Sequence, residues 1–163
     1  MDETNHPLGD DDHSIRIHPP ALAGILLLAG LIIRLLGSHH RFHHHGAHFH
    51  QLAGLLMVAA GVGLAFYAAA IFAARDTTKD PYGQPAALVT IAPFTFTRNP
   101  MYLGLTIILF GFAIFFFSPA MLLAPLVVFV VIDRMIIPRE EHALERSFGS
   151  SYLDYQRRVR RWL

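Results

Sequence analysis

Residues 52–74 read LAGLLMVAAGVGLAFYAAAIFAA, 23 positions without one charged side chain. Backbone N–H and C=O groups in the hydrocarbon core must be satisfied within their own segment, and an α-helix needs about 20 apolar residues to cross it. The stretch therefore predicts a spanning helix over 51–74. Its small residues, Gly54, Gly61, Gly63 and several alanines, let a second helix approach closely within a bundle.

Outward from this helix, further apolar runs follow. Met101–Phe117 and Ala120–Ile137 are separated only by Ser118-Pro119, a tight turn signal, and so predict a helical hairpin with spans near 100–117 and 120–137. Pro125 removes a backbone donor and is expected to kink the second arm. Ala21–Ile33 is short before Arg34 interrupts it, but a span over 20–37 forms if Arg34 snorkels to the interface. The expected fold class is thus all-α, a multi-pass bundle of about four spans, with residues 1–19 as a polar tail and 20–163 as the membrane domain.

Composition agrees. Only 15% of the 163 residues are charged and 53% are hydrophobic, whereas soluble domains carry about 25% charge. The acidic start, Met1-Asp2-Glu3 through Asp10-Asp11-Asp12, is unlike the basic opening of a signal peptide. The absence of cysteine excludes disulfides, thiolate metal sites and a cysteine nucleophile. A formal net charge of +1 gives no basis for a nucleic-acid partner, but the distribution of charge is informative. Four spans place Arg16, Arg75, Lys79, Arg98, Arg134, Arg139, Arg146, Arg157, Arg158, Arg160 and Arg161 on one side, against Arg34 and Arg41 on the other. The positive-inside rule makes the rich side cytoplasmic, with both termini there, and a bacterial inner membrane is the expected location.

After Pro138, Leu144, Phe148, Tyr152, Tyr155, Val159 and Trp162 recur at spacings of four and three, which predicts an amphipathic tail helix over 138–163. Gly149 should divide it, with Ser151 and Asp154 as a partial capping box for the second piece. Such a tail lies along the membrane surface or folds over the cytoplasmic mouth of the bundle.

Two polar constellations sit at that mouth. In Thr97-Arg98-Asn99-Pro100-Met101-Tyr102-Leu103-Gly104, Asn99 suits a helix cap and Pro100 a first helical position, while Arg98 and Tyr102 fall on one face with Gly104 leaving room beside them. At the other end of the hairpin stands Arg139-Glu140-Glu141-His142, where acids complement a helix N-terminus or, at membrane depth, mark function. Because the hairpin returns the chain to the same side, Arg98, Tyr102, Glu140 and Glu141 can converge. A third segment, His39 to His50, holds many imidazoles but no carboxylate; it could take up metal adventitiously, and no metal site is assigned to it.

The order Leu88-Val89-Thr90, Pro93-Phe94, Arg98-Asn99-Pro100-Met101-Tyr102-Leu103-Gly104, Ser118-Pro119, Glu140-Glu141, Leu144, Phe148-Gly149, Tyr152, Tyr155 and Arg158-Val159 resembles the integral membrane methyltransferases related to isoprenylcysteine carboxyl methyltransferase and phospholipid N-methyltransferases. Asn99 stands where the best-known members carry His, and Ala92 where a Gly usually precedes the Pro-Phe pair. The resemblance implies an S-adenosylmethionine pocket facing the cytoplasm, with cofactor contacts from Arg98, Asn99, Pro100, Tyr102, Gly104, Glu140 and Glu141. It implies catalytic roles for Arg98, Tyr102 and Glu141, and a lipophilic or small acceptor, membrane lipid included, entering from the bilayer. The residue types suit this: carboxylates can hold an ammonium, Arg98 a carboxylate, and Tyr102 can offer its ring or hydroxyl to the adenosine or sulfonium. Two other readings are an NADPH-dependent reductase of related fold, which would want more Arg and Lys at the pocket, and a metal-handling protein resting on the His-rich loop.

Overall fold

The computed structural model describes residues 18–36, 47–76 and 88–163. These form α1 (Pro19–Leu36), α2 (Ala47–Asp76), α3 (Pro100–Phe115), α4 (Leu123–Val131), α5 (Ile137–Phe148) and α6 (Ser150–Arg158), and no strand occurs among the described residues. The polar tail over 1–17 and most of the His-rich loop lie outside the described residues. Three helical stretches are long and apolar enough to cross a membrane: Pro19–Leu36, His48–Ala74 and Pro119–Phe148. The fourth apolar helix, α3, has 16 residues, about 24 Å at 1.5 Å per residue, and lies in the bundle against α2.

Four glycines explain that packing. A Cβ on Gly61 would lie 2.7 Å from the Gly104 carbonyl oxygen, and one on Gly104 would lie 2.6 Å from the Gly61 oxygen. The pair Gly54 and Gly111 repeats the contact at 2.7 and 2.9 Å. Each helix thus carries its glycines seven residues apart, two turns, and in antiparallel order the backbones touch. Since Gly61 and Ala65 face Gly104, α2 continues for roughly 16 Å past Gly104 and so about 10 Å beyond the start of α3. The segment before α3 fills that recess, with Val89 and Phe94 packed on Ala68 and Ile71.

On the other side of α3, Ala23 of α1, Leu109 of α3, Val128 of α4, and Ile132 and Ile137 form the main buried cluster. Gly30 of α1 admits Met121, whose Cγ would be 3.1 Å from an added Cβ. The hairpin turn closes as expected at Ser118-Pro119, where Phe117 adopts a φ of 47° and Pro119 opens a 3₁₀ turn.

The second arm departs from expectation. Pro125 falls in the first turn of α4, directly after the 3₁₀ turn Pro119–Leu122 from which the helix continues. The irregularity lies instead at Ile132–Ile136, a π-helical turn directly before Pro138. A proline ring crowds the carbonyl four residues back, here that of Arg134, and the wider turn relieves the clash. The helix then runs on to Phe148, past the span boundary expected near residue 137.

Gly149, at φ 54°, divides the tail as its sequence indicates. The capping box does not form: α6 begins at Ser150 and no side chain caps it. The amphipathic stripe does pack, with Leu144, Phe148, Tyr152, Tyr155 and Val159 together around Leu88. Trp162 departs from it, its ring 4.7 Å from Phe129 and packed against the main cluster.

Candidate functional site

The recess between the end of α2, the start of α3 and the two tail helices encloses a cavity of about 460 Å³. One wall is apolar, formed by Phe72, Leu88, Val89, Phe94, Leu144 and Phe148; the other carries Arg98, Asn99, Tyr102, Glu140, Glu141, Tyr152 and Tyr155. A concave, mostly apolar space of this size with a few convergent polar groups is the usual form of a small-molecule site. A second cavity of about 220 Å³, lined by His50, Ala113, Ile114, Phe117, Ser118, Pro119 and Leu122, offers no acid and no Lys or Arg.

The two halves of the polar wall meet directly. Tyr102, one turn into α3, donates its hydroxyl to Oε1 of Glu140 on α5 at 2.5 Å. Arg98 places Nη1 2.9 Å from Oε1 of Glu141, both side chains only 13% exposed. That approach lacks hydrogen-bond alignment, so Nε and Nη1 of Arg98 remain buried without a hydrogen-bond partner among the described residues. A buried donor left unmet costs about 1–3 kcal/mol, which for Nη1 the charge of Glu141 offsets in part.

Asn99 does not act as a side-chain cap, although it precedes Pro100 at the first helical position. Its own amide N–H is accepted by Thr97 Oγ1 at 3.2 Å, and its side-chain nitrogen donates to the Arg161 carbonyl at 3.1 Å. Asn99 and Pro100 line the cavity; Gly104 does not, being occupied by the contact with α2.

What sequence reasoning missed is the return of the last residues to this wall. Thr97 Oγ1 donates to the Arg161 carbonyl at 3.0 Å and the Arg98 amide to the Arg160 carbonyl at 3.0 Å. Arg161 bonds Glu141 at 2.6 and 3.3 Å and Asp133 at 3.3 Å, and Trp162 Nε1 bonds Asp133 at 2.9 Å. Asp133 was the available signal: an acid inside an apolar run requires a partner. Tyr155 donates to the Phe94 carbonyl at 2.7 Å, and burial pushes its phenol up to about 12, so it stays a donor at neutral pH. Burial, then the charge of Glu141, raises Tyr152 likewise. Among the described residues no group of three or more His, Asp and Glu is arranged to hold a metal.

An all-helical bundle with three helices able to cross a membrane, and an acid and arginine wall on a largely apolar cavity, defines an integral membrane protein. The chain belongs to the phospholipid methyltransferase family, which matches residues 49–151. An uncharacterized protein of Haemophilus influenzae is 38% identical over 63 residues, which is 39% of this chain and the whole of that relative. No solved structure matches the chain.

Proposed function

We propose that the protein is an S-adenosylmethionine-dependent methyltransferase acting within the membrane on a lipophilic or small acceptor. The observation that carries this is the Arg98 guanidinium on the same cavity as Glu140 and Tyr102, with its Nε and Nη1 lacking hydrogen bonds among the described residues. A ligand with an anionic and a cationic end answers both: the carboxylate of the cofactor's amino acid relieves Arg98, and its ammonium meets Glu140. Among the described residues Oε2 of Glu140 carries no hydrogen bond, so this carboxylate can accept without losing Tyr102. The aromatic edges of Phe94, Phe148 and Tyr152 suit a flat adenine and a cationic sulfur. When bound, the cofactor supplies an electrophilic methyl group that an acceptor nucleophile displaces from sulfur.

The chain's part is then to bind, orient and exclude water, and orientation alone can lower a barrier by roughly 7–11 kcal/mol. The apolar wall, from Phe72 on α2 to Leu144 and Phe148 on α5, faces the acceptor side and favours an acyl or prenyl chain, membrane lipid being the nearest source. Glu140 and Glu141 differ: Glu141 has both oxygens engaged by arginines, so Glu140 is the better candidate to accept a proton from an amine acceptor. Charge asymmetry supports cytoplasmic termini, and a relative in a bacterium is in keeping with a bacterial membrane.

The test is calorimetric titration of S-adenosylhomocysteine into the detergent-solubilised protein. Breaking a buried charge-assisted contact costs roughly 2–5 kcal/mol, so Arg98→Ala should weaken binding at least about thirtyfold, while Glu140→Gln, on a more exposed carboxylate, should weaken it by a smaller factor. Glu145→Gln, on an exposed residue one turn beyond Glu141, should bind as wild type. Absence of wild-type binding, or a silent Arg98→Ala, defeats the reading.

A further inference from the structure

Arg161 meets Glu141 side-on. Nη2 donates to Oε2 at 2.6 Å and Nε to Oε1 at 3.3 Å, while Nη1 turns away to Asp133 at 3.3 Å. Its backbone is fixed as well, because its carbonyl accepts from Thr97 and Asn99 and the preceding carbonyl from the Arg98 amide. Trp162, seated on Phe129 and bonded to Asp133, anchors the next residue. This guanidinium therefore arrives at Glu141 in a set position, and it brings nothing to the cavity wall itself.

Its effect falls on Arg98. A carboxylate has about four acceptor positions, and a fork from one arginine fills the in-plane pair that a second arginine would otherwise take. Arg98 is held near Glu141 by charge, 2.9 Å from Oε1, yet its Nε and Nη1 hydrogens stay unspent. Without Arg161, Arg98 would swing to fork Glu141 and leave the cavity without a free cationic donor.

Resting on the cofactor reading, we infer that Arg161 is the positioning residue of this site, forking Glu141 from outside the cavity so that Arg98 stays available for the ligand's carboxylate. It touches neither cofactor nor acceptor. The role differs from simple tail anchoring, because it is specific to one end of the ligand.

The experiment measures binding of S-adenosylhomocysteine and of its analogue lacking the amino-acid carboxylate to the full chain in detergent. Arg161→Gln should weaken the first at least about tenfold and the second less than about twofold, since the lost contact is to a charged group. Arg161→Lys keeps the charge without the fork and should show the same selectivity in smaller measure, carrying the test if the Gln variant does not fold. Arg157→Gln, on an exposed tail arginine paired with Asp154, should leave both affinities unchanged. Equal losses for both ligands, or no loss for either, in the Arg161 variants overturn the inference alone. Wild-type protein that binds neither ligand overturns the cofactor reading and this inference with it.

Discussion

Gly61→Ala and Gly104→Ala place a methyl group where the opposing helix presents a carbonyl oxygen. The new carbon would sit 2.7 and 2.6 Å from that oxygen, about 0.8 Å inside ordinary van der Waals separation. Neither neighbour can give easily, since both are helix backbone. The helices must separate along the contact, and overpacking of this kind costs about 1–3 kcal/mol. At about 2–4 °C per kcal/mol for a chain of this size, each variant should melt roughly 2–12 °C below wild type. The double variant should lose less than the two singles added, because one widened gap accommodates both methyls. Differential scanning fluorimetry in one detergent is sufficient. Gly24→Ala and Gly63→Ala are the controls, as an added Cβ meets nothing within 4 Å at either position, and replacing a helical glycine there should be neutral or stabilising. If Gly61→Ala melts with Gly63→Ala, the close approach of α2 and α3 is refuted.

Tyr155→Phe strands the buried Phe94 carbonyl and should cost about 1–2 kcal/mol in thermal unfolding at neutral pH. Because its phenol is raised from 10.0 to about 12, the stability it contributes is complete below pH 10 and lost as pH rises through 12, so the variant should show a smaller alkaline loss than wild type. Asp133→Asn weakens its contacts with Arg161 and Trp162, which are partly exposed, and should cost about 1–2 kcal/mol while releasing the C-terminal segment to carboxypeptidase. A cysteine at Gly46 should react with an impermeant reagent in intact cells, and labelling only after permeabilisation would reverse the proposed orientation.

The membrane helices were legible because a long uncharged run has few alternatives: α2 could only be a span, and Ser118-Pro119 could only turn the chain back. The convergence of Arg98 and Tyr102 with the Glu pair followed from that hairpin. Asn99 was harder, since its side chain suits a cap equally well and only a partner 62 residues away decides otherwise. Arg161 was hidden for the same reason, being one of several arginines in a tail whose helical period ends at Arg158. Pro125 and Pro138 look alike in sequence; which one distorts the helix depends on where the helix begins, and the 3₁₀ turn that shifts this start carries no local mark.

The π-helical turn at Ile132–Ile136 amounts to one residue more than a regular helix would need over the same rise. Each residue of an α-helix advances the side chains by about 100° around the axis, so an extra one sets the rotational phase of everything that follows. Val128 and Ile137 both face the core across this turn, while Glu140 and Glu141 reach Tyr102 and Arg98. Deleting a single residue between 132 and 136 would restore an unbroken α-helix and rotate the Glu pair away from α3. The inserted residue is thus the difference between a hairpin that merely packs and one whose acids are aimed, a change a lineage can make or undo in one codon.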